Sequence, residues 1–297
     1  MSLQVDTAYV NAYRANVNML VQQKGSRLRP YVRVETQNAE FEFYDRIGAT
    51  EAQEITGRHQ DTPLTSTPHD RRRVSLRDFD WADLIDRQDK LRMLMDPAGP
   101  YSTNAMWAMG RKMDDVVIEQ FFGTAYSGKT GATTTSFPSA NQIAVNYVES
   151  GGAANSSLTI GKLRRAKEIL DAYDNDPDED RICACAAQQL HALLRTTEVT
   201  SADYNSVKAL VEGKLDTFLG FKFVRTQRLA TDGSGYRRVP IWIKSKMLLA
   251  ISQDVQVDVG PRRDKRNSIQ VYVTMGIGST RMEEEGVVEV KCDETVL

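Results

Sequence analysis

Residues Tyr101 to Phe122, YSTNAMWAMGRKMDDVVIEQFF, are the longest run in the chain that reads as one amphipathic helix. Met106, Met109, Met113, Val116 or Val117 and Phe121 recur every three to four residues. Arg111, Lys112, Asp114, Asp115 and Glu119 fill the remaining circumference. Such a stripe needs an apolar surface to cover. Ser102 or Thr103 is placed to cap its start, the preceding DPAGP is a stiff entry, and Gly123 is the expected stop.

The segments before this helix are extended or basic. Tyr9, Tyr13, Val17 and Leu20 predict a helix over residues 6–24 that ends at Gly25, and Lys24, Arg27, Arg29 and Arg33 follow, with Pro30 arguing for an extended arm. Residues 39–47 alternate through Phe41 and Phe43, and residues 74–81 alternate from Val74 and slip phase at Phe79 and Trp81. The polar stretch between them, GATEAQEITGRHQDTPLTSTPHDRRR, is too long for an unstructured loop in a compact domain. It predicts a long two-stranded hairpin projecting from the body, too poor in apolar residues to stand by itself and therefore held from outside the monomer. Asp86 is placed to cap a short helix through Leu91, Leu94 and Met95.

After the long helix, residues 127–155 are rich in Gly, Ser and Thr, with a short strand suggested around Ile143, Val145, Tyr147 and Val148. Thr159 caps a helix bearing Leu163, Ala166, Ile169, Leu170 and Tyr173 on one face. DNDPDED, residues 174–180, is an acidic turn that lacks the glycine and terminal glutamate of a calcium loop. A strand at 182–186, helices at 187–195 and 203–211 and a strand at 221–225 make a second subdomain, and 231–235 is a turn. Alternation through Val255, Val257 and Val259, through Ile269, Val271, Val273, Met275 and Ile277, and the run Val287, Val288 and Val290 predict closing strands around the basic turn GPRRDKRNS. These strands are the surface expected beneath the two long helices.

The chain has 297 residues, 41% hydrophobic and 26% charged, with a net charge of −2, which speaks against a sequence-reading nucleic-acid protein. No apolar run approaches the roughly 20 residues that cross a bilayer, and MSLQVDTAYVNAYR has no signal-peptide core, so a cytoplasmic site of synthesis without membrane attachment is expected. Cys183, Cys185 and Cys292 read as reduced thiols. GTAYSGKT, residues 123–130, satisfies the P-loop pattern letter for letter. Its order is wrong for phosphate binding, because it follows a helix and enters GATTTSFP rather than leaving a strand and opening a helix. His59, His69 and His191 lack ligand spacing, and no hydrolase or zinc-protease motif is present. No catalytic, cofactor or metal residue is assigned.

In order, an arm, a long polar hairpin, one dominant helix, a strand-and-helix subdomain and terminal strands resemble the major capsid proteins of tailed bacteriophages, an α+β fold named after phage Hong Kong 97. The likeness is closest at ADYNSVKALVEGKLDTFLGFKFVRT (202–226) and over residues 255–292, where Arg281 precedes the acidic turn Glu283 to Glu285 and the pair Val287 and Val288. The resemblance implies an N-terminal arm at 1–34 and an extended loop at 35–85. A peripheral domain with its spine helix would occupy 86–180, an axial domain 181–240 and the returning peripheral strands 241–297. It further implies a virion protein assembled in the bacterial cytoplasm into hexamers and pentamers, with scaffolding, portal and decoration proteins and double-stranded DNA as partners. An encapsulin-like nanocompartment shell is the alternative, and a P-loop enzyme the remaining one. Arg27, Arg29 and Arg33, with Arg262, Arg263, Lys265 and Arg266, suit packed DNA or a neighbouring subunit.

Some members of that family weld subunits through a loop lysine, but residues 48–80 contain none. Arg58, Arg71, Arg72 and Arg73 stay protonated and cannot act as amine nucleophiles. With Glu51, Glu54, Asp61 and Asp70 they are expected instead to form non-covalent ion pairs between subunits.

Overall fold

The computed structural model describes residues 22–54, 57, 61–62, 64–86, 98–149, 151–173, 175–195 and 217–296. The helices expected after Asp86 and over 203–211 lie outside these residues, as does the one over 6–24 except for Gln22 to Lys24, which are not helical. Two compact units emerge. The first holds 78–111, 253–275 and the chain before Arg27; the second holds 27–77, 112–252 and 276–297.

The long helix α1 (Ala98–Phe122) begins three residues earlier than expected. Pro100 sits in its first turn, where a missing N–H is harmless, so residues 98–100 of the DPAGP stretch belong to the helix. Met109, Met113, Val116, Val117 and Phe121 are buried as predicted, whereas Met106 is exposed. Asp114, which falls outside the apolar stripe, is nevertheless fully buried. Its carboxylate accepts the backbone amides of Arg27 at 3.0 and 3.1 Å and of Leu28 at 3.1 Å, which satisfies the buried charge and anchors the incoming chain.

In the second unit, a six-stranded sheet has the order β7-β14-β11-β8-β10-β9. These strands are β7 (Gln142–Ile143), β8 (Arg181–Cys185), β9 (Thr217–Phe218), β10 (Phe221–Arg225), β11 (Arg237–Ile243) and β14 (Val287–Cys292). β8 runs parallel to β10 and antiparallel to β11, and all five of its residues are buried, Cys183 and Cys185 included. The three cysteines are free thiols. Trp242 of β11 is fully buried, its ring centroid 4.6 Å from that of Phe121, and its indole N–H donates to the Tyr31 carbonyl. Burying aromatic rings of this size contributes about 2–3 kcal/mol each.

Helix α2 (Ile160–Ala172), capped by Thr159 as predicted, packs against β14 and β7 and buries Leu163, Ala166 and Leu170. Its buried Lys162 donates to the carbonyls of Ser156, Ser157 and Lys291, and burial lowers the amine's pKa. Helix α3 (Ala187–Leu194) follows β8. The closing strands are not one sheet, because β14 joins the six-stranded sheet while β12 (Met247–Arg262) and β13 (Ser268–Arg281) belong to another. β1 (Arg33–Thr36) pairs in parallel with Leu248–Ile251 at the start of β12.

The remaining sheet of this unit has the order β2-β3-β5-β6, built from β2 (Phe41–Ile47), β3 (His69–Ser75), β5 (Ala125–Ser127) and β6 (Thr133–Thr135). The predicted strand over 74–81 is two strands: the phase slip marks a break at Leu76, after which β4 (Arg77–Ile85) joins β13 in a different sheet.

In the first unit, the outer parts of β12 and β13 and most of β4 are in sheet order β12-β13-β4. Residues 22–25 lie along α1 there. Lys24 sits 5.5 Å over the Trp107 ring, and Arg111 donates to the Gln22 side chain and the Gln23 carbonyl. Gly110 and Gly25 meet so closely that a Cβ on Gly110 would lie 2.5 Å from Gly25 backbone atoms.

Candidate functional site

The predicted hairpin is formed by β2 and β3, paired from Phe41↔Ser75 to Ile47↔His69. It is closed where the Gly48 amide donates to the Pro68 carbonyl at 2.9 Å. Beyond that bond the described loop residues are exposed and no strand continues; Leu64 is 96% exposed. The base, unlike the loop, is held within the chain. β3 gives its other edge to β5, pairing Arg72↔Ser127 and Arg73↔Tyr126, and Tyr44 packs on Val74, Leu248, Ala250 and Met282. Burial, helped by Glu42, pushes the Tyr44 phenol up to about 12, so it stays neutral.

A buried ionic cluster completes this attachment. Arg72, fully buried, places one guanidinium nitrogen 2.9 Å from both carboxylate oxygens of Glu284 and donates from Nε to the Met282 carbonyl. Arg46 of β2 donates to the same carbonyl at 2.8 Å and to Asp70. Arg281, also fully buried, lies 3.5 Å from Glu284 and donates to the carbonyls of Phe121 and Gly123. It therefore satisfies carbonyls that the C-terminus of α1 leaves open, at the negative end of the helix dipole. One carboxylate thus joins hairpin, helix end and the turn before β14. Burial lowers the pKa of both Arg72 and Arg281, against the opposing pull of Glu284, yet a guanidinium starts high enough to remain charged. Asp70 is pushed up by burial, but the hydrogen bond and charge of Arg46, with the pull of nearby backbone amides, outweigh this and leave it lowered.

The residues singled out from sequence separate into distinct roles. Glu51 and Glu54 are exposed on the loop, and Arg58 lies outside the described residues. Arg71 is exposed and pairs with Asp45 at 2.7 Å. Arg73 is half-buried, its guanidinium 5.1 Å from the Phe41 ring and 4.7 Å from that of Tyr126. Arg72 departs from its expected role at a neighbour, because its side chain is buried and bonded inside its own chain. Arg27 is exposed and donates to the Arg225 carbonyl, Arg29 is half-buried, and Arg33 pairs with Glu35 at 2.8 Å.

The P-loop-like residues form β5 and the turn into β6, not a strand-to-helix turn. Gly128 and Gly131 take φ of 85° and 66°, as the tight turn requires, and the Gly128 amide donates to the Arg71 carbonyl instead of facing a ligand. Sequence reasoning overlooked Arg46 and the role of Glu284. Arg281 and the acidic turn were visible only as a local pattern, since Arg72 and Glu284 are 212 residues apart.

Comparison with known proteins bears on the whole chain. No curated protein sequence matches it. Among solved structures, it is similar to the capsid of cyanophage P-SCSP1u, with a TM-score of 0.76 and 14% identity over 99% of this chain and 95% of that one. The capsid of cyanophage Pam1 gives 0.73 and 15% over 97% of both chains, and mycobacterium phage Che8 gives 0.68 and 13% over 97% of this chain and 98% of that one. The family model for phage capsid proteins matches residues 5–294. The chain belongs to the phage capsid protein family and has the Hong Kong 97-like fold of tailed-bacteriophage major capsid proteins.

Proposed function

We propose that copies of this chain assemble as hexamers and pentamers into a closed icosahedral shell around double-stranded DNA. The observation that carries the reading is the contrast within the hairpin: a base fixed by a buried ionic cluster, and a loop with exposed Leu64 that its own chain does not cover. A rigidly mounted, uncovered loop is suited to lie on an adjacent subunit, as closed symmetric assemblies require. The segments 1–34, 35–85, 86–180, 181–240 and 241–297 would act as arm, extended loop, peripheral domain, axial domain and returning strands. Assembly would take place in the bacterial cytoplasm, with scaffolding, portal and decoration proteins as partners.

Exposed Glu51 and Glu54 are the loop's candidates for ion pairs with a neighbour, and Arg71 of β3, exposed although paired with Asp45, is a candidate at the base, each exposed pair contributing about 0–1 kcal/mol and the repeated set more. Arg27, Arg29 and Arg33 would contact phosphates without reading sequence. Negative-stain imaging of purified protein should reveal closed shells, and a strictly monomeric species at every concentration and salt would defeat the reading. Particles boiled in detergent should give one band near the 33.3 kDa subunit, because residues 48–80 offer no lysine for a covalent weld. A ladder of multimers resistant to reductant would defeat that part.

A further inference from the structure

At the base of the hairpin, the second unit carries a groove of about 720 Å³ between the closing residues Ile47, Gly48 and Pro68, the turn after α2 and the acidic turn before β14. Its apolar part is uncovered: Ile47 is 66% exposed and Tyr173 43%. Its rim is acidic. Asp70, Glu283 and Glu284 are matched by Arg46, Lys246 and Arg72 within the chain. Asp176, Glu179 and Glu285 line the same groove and form no ion pair among the described residues, although Asp176 accepts the Asp178 amide and Glu179 the Ser245 hydroxyl.

The first unit carries the complement. The turn between β12 and β13 places Arg263, Lys265 and Arg266 at the end of a hairpin, all exposed and without an ion pair among the described residues; Arg262 is taken by Asp264 at 2.9 Å. Val257 and Val259, on the strand leading to this tip, are 39% and 47% exposed. From Gln253 to Arg262 that strand spans on the order of 30 Å, long enough to reach an adjoining subunit. In a chain whose net charge is only −2, excess charge of the two signs is segregated into two patches, each bordered by exposed apolar side chains. A pair of unlike patches on one chain makes a head-to-tail contact, which closes into a ring when repeated by rotation.

We propose that the basic tip of the β12–β13 hairpin of one copy seats in this acidic groove of a neighbouring copy, an inference that rests on the shell-forming function above. The cations meet Asp176, Glu179 and Glu285 while Val259 approaches Ile47 and Tyr173. Charge complementarity of this kind steers association and fixes register.

The test is charge reversal with rescue in the full chain. Arg263→Glu with Lys265→Glu, or Asp176→Lys with Glu285→Lys, should each lower the assembled fraction at least about tenfold at 0.15 M salt, while circular dichroism of the unassembled chain is unchanged. All four changes in one chain should restore assembly to within about threefold of wild type. Wild-type particles assembled from mixed nitrogen-14 and nitrogen-15 chains and treated with a carbodiimide should yield Lys265–Glu285 or Lys265–Asp176 peptides joining the two isotopes. Assembly of either reversed variant at wild-type level, a fourfold variant no better than the worse parent, or absence of mixed-isotope peptides would overturn the proposal. So would a reversed tip that assembles normally but retains less DNA, which would assign the tip to phosphates. Wild-type protein that never assembles defeats the shell-forming function and this contact together; intact wild-type shells with any of those results defeat the contact alone.

Discussion

The two ends of one hairpin contain similar residues under opposite physical constraints. At its base, Arg46, Asp70 and Arg72 are drawn into a cluster with Glu284, and Tyr44 is packed on buried side chains. Past the Gly48–Pro68 closure, Glu51, Glu54 and Leu64 are exposed. The same charged residue types are therefore structural at one end and available at the other. Burial decides between these roles, because a desolvated charge must be bonded by its own chain while a solvated one is free to meet another.

Removing the carboxylate at the centre of the base should have the largest effect. Glu284→Ala leaves the buried guanidinium groups of Arg72 and Arg281 without their shared anion, and breaking a buried pair costs about 3–5 kcal/mol. Urea unfolding of the unassembled chain measures this as a lowered midpoint. Replacing both Arg72 and Glu284 by Met should recover only part of the loss, because the desolvation cost of that pair goes with its charges while buried Arg281 still lacks its anion. An unchanged midpoint for Glu284→Ala would mean that the base is held by strand pairing alone.

A smaller effect is expected at the half-exposed Asp70. Its folded pKa is lowered, so its contribution is fully present above the ordinary aspartate pKa of about 3.9 and is lost as pH falls through the folded value. With its side chain 38% exposed, solvent screening limits this to under about 1 kcal/mol. Stability of Asp70→Asn should therefore fall less steeply than wild type between about pH 5 and pH 2. An identical pH profile would remove the Arg46–Asp70 pair from the account of the base.

Periodicity revealed the elements whose stability comes from one continuous apolar face. The long helix, the helix capped by Thr159 and the strand containing Cys183 all occur close to their expected ranges. Contacts that depend on tertiary partners were hidden. Asp114 reads as a surface acid because nothing local announces that the amides of Arg27 and Leu28 will cover it. Arg72 sits between Arg71 and Arg73 in an apparently uniform basic run, yet strand alternation turns it inward towards Glu284, far along the chain. Alternation likewise predicted the outer part of β12 around Val255 to Val259 and most of β13, but neither the buried start of β12 at Met247 nor that β14 would leave them for another sheet, since period-two patterning fixes which face is apolar and says nothing about which strand is adjacent.

On the loop side of the comparison, Leu64→Ser should change the stability of the unassembled chain by no more than about 0.5 kcal/mol, because the side chain is already in water. Shell assembly should nevertheless weaken if the loop buries Leu64 on a neighbour. A measurable loss of monomer stability would show that the loop packs on its own chain.

The smallest effect is expected at Lys129, beside the base yet exposed. It belongs to the P-loop-like GTAYSGKT, but that segment is a strand and a tight turn, and the Gly128 amide that a phosphate would need is given to the Arg71 carbonyl. The turn at Thr130 runs into β6 and not into a helix, so no dipole focuses positive potential on the loop. Phosphate selectivity requires several amides converging on one point, and an isolated exposed ammonium supplies only a screened, non-specific charge. Lys129→Ala should therefore leave unfolding and assembly within error of wild type, and calorimetry with ATP and magnesium should give no saturable heat for either protein. Saturable binding lost in the variant would show that a turn at the hairpin base holds phosphate without a helix behind it.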